Sequence, residues 1–195
     1  MMKAMIFDAD GMLVQEESFS ERFAQDFDVP AESIMPFFEN EFQLCLVGKA
    51  DLKIELQKYI DQWGWQGSVD SLIEYWFSGA KVDQDISATI AKLRKRGTKC
   101  FLATNQEFYR SEYFAQQLGF ADIFDAIFCS AIIGYKKPQG EFFAAIAKQI
   151  SPIRKNEVLF WDDKLENVNA AKQFGFQAKQ YTNYQSFETI IKKLA

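Results

Sequence analysis

The stretch Lys3-Ala4-Met5-Ile6-Phe7-Asp8-Ala9-Asp10-Gly11 decides the fold of this chain of 195 residues. Its apolar run, Lys3 to Phe7, is stopped at once by two carboxylates and a glycine. A short apolar run that ends in turn residues is typical of a buried strand. We therefore expect a strand that delivers Asp8 and Asp10 to a tight turn.

Similar apolar runs recur along the chain, and segments with helical spacing of apolar residues separate them. The other predicted strands are Lys99–Ala103, Ala126–Cys129, Glu157–Trp161 and Phe176–Tyr181. Several helical segments stop at a glycine, where a helix end favours a left-handed residue. Strands that alternate with helices indicate βαβ units, so the predicted fold class is α/β with a doubly wound parallel sheet.

One long segment interrupts this alternation. From about Val14 to Lys81 no strand pattern is present, and apolar residues recur at helical spacing, as at Phe19, Phe23 and Phe27. We predict an α/β core formed by residues 1–14 and 82–195. Residues 15–81 are predicted to form a small helical domain inserted after the first strand.

The composition disfavours several classes of protein. Hydrophobic residues make up 48% and charged residues 25%, as in ordinary globular domains. A net charge of -5 without a long basic run disfavours nucleic-acid binding. No segment reaches the roughly 18 apolar residues of a membrane helix, and Met1–Phe7 is too short for the apolar part of a signal peptide. We expect a cytoplasmic protein without nucleic-acid or membrane partners, present as a monomer or weak homodimer.

The chain contains no histidine, which restricts its chemistry. Ser-His and Cys-His nucleophilic pairs and histidine-based zinc sites are excluded, so any acid or base is a carboxylate, lysine, tyrosine or cysteine. Cys45, Cys100 and Cys129 lack CxxC spacing and are expected to be reduced and buried.

Polar residues follow four of the predicted strands at their carboxyl ends, where open parallel sheets bind ligands. In chain order they are Asp8 with Asp10, Thr104 with Asn105, Lys137, and Asp162 with Asp163. Each of these residues or residue pairs is common in proteins when it is taken by itself. Their shared position at one end of the strands indicates a site.

Charge balance predicts what such a site binds. Four carboxylates within a few ångströms stay ionised only if a cation joins them. Oxygen ligands alone select a hard ion, and Mg²⁺ is the ion that binds through a few carboxylates plus substrate phosphate. Lys137 would neutralise nucleophile and phosphate, and the Thr104 hydroxyl can donate to a phosphoryl oxygen. The sequence predicts Mg²⁺ and a small phosphorylated substrate.

The first two carboxylates have different tasks open to them. Asp8 can attack phosphorus and form an aspartyl-phosphate. Asp10 could protonate the leaving alkoxide and then take a proton from water, which requires that crowding by like charges keeps it protonated near neutral pH. Gly11 has no side chain to block the turn.

These residues resemble the motifs of the haloacid dehalogenase superfamily, over essentially the whole chain. The four motifs are Ile6-Phe7-Asp8-Ala9-Asp10-Gly11-Met12-Leu13; Leu102-Ala103-Thr104-Asn105; Gly134-Tyr135-Lys136-Lys137-Pro138 with Phe142-Phe143; and Leu159-Phe160-Trp161-Asp162-Asp163 with Asn167. A helical insert directly after the first motif is what members with a C1-type cap show. The resemblance implies a Rossmann-like core, Asp8 as nucleophile, and Asp10 as acid/base and backbone-carbonyl metal ligand. It also implies Thr104 and Lys137 at the phosphate and Asp162 and Asp163 as metal ligands.

Further candidates and departures accompany this resemblance. Gly11 and Asn105 are candidates for phosphate binding. The stretch Gly48-Lys49-Ala50-Asp51 resembles a substrate-contacting cap loop of sugar-phosphate mutases, although a bare helix start explains it equally well. Gln139-Gly140 replaces a frequent Asp-Pro, and Trp161-Asp162-Asp163 replaces a frequent Gly-Asp-Ser, which leaves open which acid binds metal directly. Lys136 is an alternative to Lys137 as the lysine of the site, but Lys137 is favoured because it directly precedes Pro138.

The predicted function is a Mg²⁺-dependent phosphatase for a sugar phosphate, nucleotide or related metabolite. A phosphomutase is an alternative, because an aspartyl-phosphate can return its phosphoryl group to a substrate hydroxyl. A metal-independent dehalogenase is disfavoured by Asp10, since a halide leaving group needs no proton. A catalytically silent binding module is disfavoured because all four motifs are intact.

Overall fold

The computed structural model describes residues 2–194, and its centre is a five-stranded parallel sheet. The strands of the chain are β1 (Ala4–Phe7), β2 (Val14–Gln15), β3 (Lys81–Val82), β4 (Lys99–Thr104), β5 (Ala126–Cys129), β6 (Val158–Asp162) and β7 (Gln177–Gln180). The sheet order is β5-β4-β1-β6-β7. The predicted fold class and all five predicted strands of the sheet are confirmed.

Helices connect the strands along the chain, and several of them cover the two faces of the sheet. They are α1 (Phe19–Phe27), α2 (Ala31–Glu39), α3 (Glu41–Cys45), α4 (Leu52–Gln57), α5 (Val69–Phe77), α6 (Gln84–Lys95), α7 (Phe108–Gln116), α8 (Phe120–Ile123), α9 (Ser130–Ile133), α10 (Gly140–Gln149), α11 (Leu165–Phe174) and α12 (Tyr184–Leu194). Gly175 ends α11 at φ +107°, as the glycine pattern predicts. None of the helices within residues 2–194 combines the length and the apolar character needed to cross a lipid bilayer.

Side chains that point alternately to the two faces of the sheet divide the core into two layers. In β1, Met5 and Phe7 pack in one apolar cluster, while Ala4 and Ile6 pack in the other, because successive side chains of a strand point to opposite faces. The first cluster includes side chains of α6, α7, α8 and α12, and the second includes those of α10 and α11. Both faces of the sheet are thus covered, which explains the continuous apolar runs in the sequence.

Residues between β2 and β3 form α1 to α5 with an apolar cluster of their own. Phe23, Phe37, Trp63 and Leu72 are fully or almost fully buried in it. The sequence analysis predicted no strand from about Val14 to Lys81, and this prediction was wrong. β2 and β3 pair there as an antiparallel ribbon, two residues long and therefore too short to show a period of two. The division into an α/β core and a helical domain with the boundaries given above stays a prediction.

Candidate active site

The sheet order brings the predicted site residues together. β1 lies between β4 and β6, with Phe7 in register with Leu102 on one side and Trp161 on the other. Asp8 directly follows β1, Thr104 is the last residue of β4, and Asp162 is the last residue of β6. Asp8, Thr104 and Asp162 are therefore neighbours at the carboxyl ends of the three central strands. In sequence, Thr104 and Asp162 each lie more than 90 residues from Asp8.

Lys137 joins two of these strand ends through its buried ammonium group. Its Nζ lies 2.6 Å from Asp8 Oδ1 and 2.7 Å from Asp162 Oδ2, and it donates to the Ala103 carbonyl at 2.9 Å. Although burial alone would lower the pKa of Lys137, the two carboxylates raise it. Burial raises the pKa of Asp8 to about 8 against the opposing effect of Lys137, and the charge of Asp162 adds to the rise. The effect of burial on the pKa of Asp8 therefore outweighs that of Lys137.

Asp8, Asp162 and Asp163 form an acidic cluster, each with a carboxylate oxygen within 4.8 Å of the others'. Asp163 Oδ1 is buried without a hydrogen-bond partner among residues 2–194. Burial and the neighbouring Asp162 raise the pKa of Asp163. An orphaned buried oxygen beside two further carboxylates is an arrangement suited to a hard divalent cation, so the donor set fits Mg²⁺.

Asp162 itself is positioned by several donors. Its Oδ1 accepts from the Lys164 backbone N–H at 2.9 Å and from Asn167 Nδ2 at 2.9 Å, while its Oδ2 faces Lys137. Asp163 has no comparable support at Oδ1. Asp162 is therefore held by more hydrogen bonds than Asp163, whose Oδ1 is left without a partner among residues 2–194 and can bind a ligand.

The Asp10 carboxylate lies outside the acidic cluster. Arg110 Nη2 is 3.0 Å from its Oδ1, and Gln106 Nε2 donates to its Oδ2. The buried Arg110 guanidinium also pairs with Glu16. The sequence argument expected like charges around Asp10. Asp8 and Glu16 do lie near it, but the structure also places the Arg110 cation in direct contact with it, which the sequence argument did not expect. The sequence analysis missed Arg110, Gln106 and Glu16. Arg110 and Gln106 lie far from Asp10 in sequence, and no motif marks Glu16, although it follows Asp10 closely.

Asn105 contacts Lys137 through the main chain. Its Nδ2 donates to the Lys137 carbonyl at 2.9 Å, and its Oδ1 accepts from the Lys137 backbone N–H at 2.8 Å. Asn105 thus holds the lysine segment in place, and its predicted role in phosphate binding stays a prediction. Thr104 is almost completely buried at the end of β4, beside Asp8's strand.

Gly11 approaches the acidic cluster so closely that a side chain would not fit. It has φ +77°, and a Cβ atom there would collide with the Asp163 carboxylate. Only glycine meets both conditions without strain. The predicted need for glycine in this turn thus has a specific structural reason.

Gly48 and Lys49 lie apart from these residues. They line a separate hollow of about 430 Å³ next to Asp51 and Tyr109, and Gly48 packs against the Ala131 carbonyl. Neither residue lines the cleft that contains Asp10 and Lys137. Their predicted part in substrate binding is not supported by this placement.

A cleft of about 700 Å³ opens between the strand ends and the helical insert. Asp10, Gly11, Asn105 and Lys137 line its inner end. Lys136 also lines it and donates to Gln43 Oε1 of α3, so its side chain spans from the sheet side to the insert. Lys136 and Lys137 therefore have different surroundings, and Lys137 is the one in contact with Asp8.

Comparisons with known proteins agree with this arrangement. A sequence model described as haloacid dehalogenase-like hydrolase matches residues 2–175. The sesquiterpene phosphatase astK of Aspergillus oryzae is 33% identical over 104 residues, which are 52% of this chain and 51% of that protein. The aligned part thus spans about half the length of this relative.

Solved structures share the fold at low sequence identity. The HAD family enzyme bt-2542 of Bacteroides thetaiotaomicron, solved with magnesium and inorganic phosphate, has a TM-score of 0.80 at 17% identity over 95% of this chain and 98% of its own. A predicted HAD-like family hydrolase from Porphyromonas gingivalis has a TM-score of 0.82 at 20% identity over 100% and 98%. Because the family's sequence model matches most of the chain, this protein belongs to the haloacid dehalogenase-like hydrolases.

Proposed function

We propose that this protein is a Mg²⁺-dependent phosphatase that hydrolyses a small phosphorylated metabolite through an aspartyl-phosphate on Asp8. One observation carries the proposal: the Asp8 carboxylate is held by Lys137 within a cluster that also contains Asp162 and the orphaned oxygen of Asp163. A nucleophile, a fixed cation and a place for a hard metal ion thus occur within one small volume.

The carboxylates of Asp8, Asp162 and Asp163 would hold the metal, with the Asp10 backbone carbonyl as a further proposed ligand. When bound, Mg²⁺ supplies positive charge that stabilises the phosphoryl oxygens as charge moves in the transition state. Lys137 contributes a second, permanent positive charge at the same place. Its position is fixed by three contacts of its own ammonium group and by the Asn105 amide.

In the first step, Asp8 attacks phosphorus and the bond from phosphorus to the ester oxygen breaks. Asp8 Oδ1 already accepts from the Ala9 backbone N–H at 2.7 Å and faces Lys137. Within residues 2–194 no hydrogen bond of the protein occupies Oδ2, which makes Oδ2 the attacking atom. The Thr104 hydroxyl and the glycine turn at Gly11 are proposed to bind the phosphoryl oxygens.

Asp10 is the proposed general acid and general base. It gives a proton to the leaving alkoxide in the first step. In the second step it takes a proton from the water that attacks phosphorus, and the bond from phosphorus to Asp8 breaks to release inorganic phosphate. Arg110 contacts Oδ1 of Asp10 and Gln106 donates to its Oδ2, so the orientation of this carboxyl group is set before substrate binds.

Two of the comparisons support phosphate chemistry. The relative from Aspergillus oryzae is named a phosphatase, and bt-2542 was solved with magnesium and phosphate. A dehalogenase would have no use for a proton donor placed like Asp10. A phosphomutase would share every step up to the aspartyl-phosphate, and isomeric phosphorylated products in place of free phosphate would identify it.

The test is a phosphate-release screen over sugar phosphates, nucleotides and simple esters such as p-nitrophenyl phosphate. We expect turnover that requires Mg²⁺, stops on addition of EDTA and falls at least about 10³-fold in Asp8→Asn, because the amide is no nucleophile. Comparable rates in Asp8→Asn would show that Asp8 is not the nucleophile.

A further inference from the structure

The insert side of the cleft is an apolar wall. It consists of Phe19, Met35, Phe38, Phe42, Leu46 and Trp76. Ring centroids of Phe38, Phe42 and Trp76 lie 5.3 Å apart in each pair, so these side chains form one packed unit. Met35 is 39% exposed, and Phe38 and Phe42 are half-buried, which leaves apolar surface facing the cleft.

Polar groups on the same side of the cleft already have partners. The Ser18 and Ser20 hydroxyls lie 2.8 Å apart, and Gln43 donates to the Phe38 carbonyl at 2.6 Å while accepting from Lys136. These contacts use part of the hydrogen-bonding capacity of the three side chains, so less of it is left for a polar substituent of a substrate. The apolar wall is the surface that gains from contact, because covering it removes apolar area from water.

The charges of the cleft disfavour a second anionic group on the substrate. Four acids (Asp10, Glu16, Glu17 and Glu166) and four bases (Arg110, Lys136, Lys137 and Lys164) line it. A divalent ion at the acidic cluster would be offset by the carboxyl groups that hold it, so it would add little free positive charge to the cleft. A phosphate dianion then makes the charge balance of the cleft negative, so any further anion would meet net repulsion.

We propose that the cleft selects phosphate monoesters whose organic part is uncharged and presents an apolar face, which packs on the apolar wall. This inference rests on the proposed phosphatase function and names its substrate class. The phosphate would lie at Lys137 and the organic part against the apolar wall. Bisphosphates and phosphorylated acids would be poor substrates.

The test uses ethyl, butyl and hexyl phosphate, whose leaving groups are chemically alike and differ in apolar length. We expect kcat/KM to rise about three- to fourfold for each methylene that reaches the wall. A hexyl phosphate that carries a terminal carboxylate should be at least about tenfold poorer than hexyl phosphate, because its charge is repelled and must be desolvated.

Variants separate the wall from general effects on folding. Phe42→Ala and the more conservative Met35→Ala, at a partly exposed position, should flatten the dependence on chain length. Leu44→Ala is the matched control, since Leu44 lies on α3 with Phe42, is 48% exposed and does not line the cleft; it should keep the wild-type dependence.

The outcomes distinguish the two proposals. Mg²⁺-dependent, Asp8-dependent release from p-nitrophenyl phosphate together with a flat alkyl series, or preference for the carboxylated ester, would overturn the substrate class alone. Release from no ester at all would overturn the proposed function and the substrate class with it.

Discussion

Lys137 shows how much a single residue contributes at this site. Its ammonium group is almost fully buried and compensates two carboxylates that would otherwise face each other in a dry environment. A buried charge without a partner costs far more than a buried pair, because the remaining charge keeps its desolvation penalty and loses its attraction. The lysine is therefore expected to matter for folding as well as for chemistry.

Replacing Lys137 with methionine should abolish phosphatase activity and lower the free energy of unfolding by about 3–5 kcal/mol. Urea denaturation without metal measures the second effect. Lys99→Met is the control: Lys99 pairs with Asp125 at 2.9 Å but is largely exposed, and such a pair contributes about 1 kcal/mol or less. Equal stability of the two variants would contradict the role given to Lys137.

Gly11→Ala tests the close approach of the turn to Asp163. We expect a loss of about 1–2 kcal/mol in stability from the positive φ, together with at least about 10²-fold lower kcat/KM from displacement of Asp163. Gly119→Ala has the same backbone strain at φ +72°, but open space around it. It should lose similar stability and keep its activity. A fully active Gly11→Ala enzyme would show that the Asp163 position is unimportant.

At the scale of elements, helix α7 starts on an unusual cap. The Glu107 side chain accepts from the Tyr109 backbone N–H at 2.7 Å and from that of Arg110 at 2.5 Å, yet only 2% of the residue is exposed. Burial raises the pKa of Glu107 to about 7, although the two backbone donors oppose the rise. The cap thus favours the protonated form near neutral pH.

This cap gives stability a pH dependence with a defined sign. Between pH 4.5 and 7 the folded protein holds a proton on Glu107 that the unfolded chain has lost, so the free energy of unfolding falls as pH rises through this window. The contribution is up to about 3 kcal/mol. Urea denaturation of wild type and Glu107→Gln at pH 4.5 and 8 measures it, and the variant should gain stability relative to wild type at pH 8. A constant difference between the two proteins would contradict this assignment.

The elements themselves were largely predictable from sequence. Apolar runs identified the five strands of the sheet because both of its faces are covered, and glycines identified helix ends such as Gly175. The ribbon of β2 and β3 was not predictable, since two residues carry no periodicity. Arg110 was not predictable either, because it follows Asp10 by 100 residues and only the folded chain brings them together.

At the scale of the whole molecule, we expect the acidic cluster to make the stability of the folded state depend on divalent ions. Binding of Mg²⁺ to the folded state alone adds about 2.7 kcal/mol when its concentration is 100 times the dissociation constant. For a chain of 195 residues this corresponds to a rise of about 5–10 °C in melting temperature.

Thermal denaturation with Mg²⁺ and with EDTA measures this stabilisation without any substrate. Asp163→Asn should lose most of the Mg²⁺-dependent rise, because it removes a charge from the cluster at the atom that has no other partner. Asp70→Asn, at an exposed position of α5, should keep it. The same rise in both variants would place the ion elsewhere.

The position of β1 in the middle of the sheet also governs how the chain can fold. Its two neighbours, β4 and β6, are distant in sequence, and the second of them ends only at Asp162. On the ribosome, one edge of β1 can pair once β4 has been made, whereas its other edge stays open until the chain has been made beyond Asp162. Such long-range pairing slows folding and leaves the apolar strand Ala4–Phe7 available for wrong partners in the meantime. Catalytic competence is consequently acquired late in the biogenesis of this protein, after the sheet has closed around its central strand.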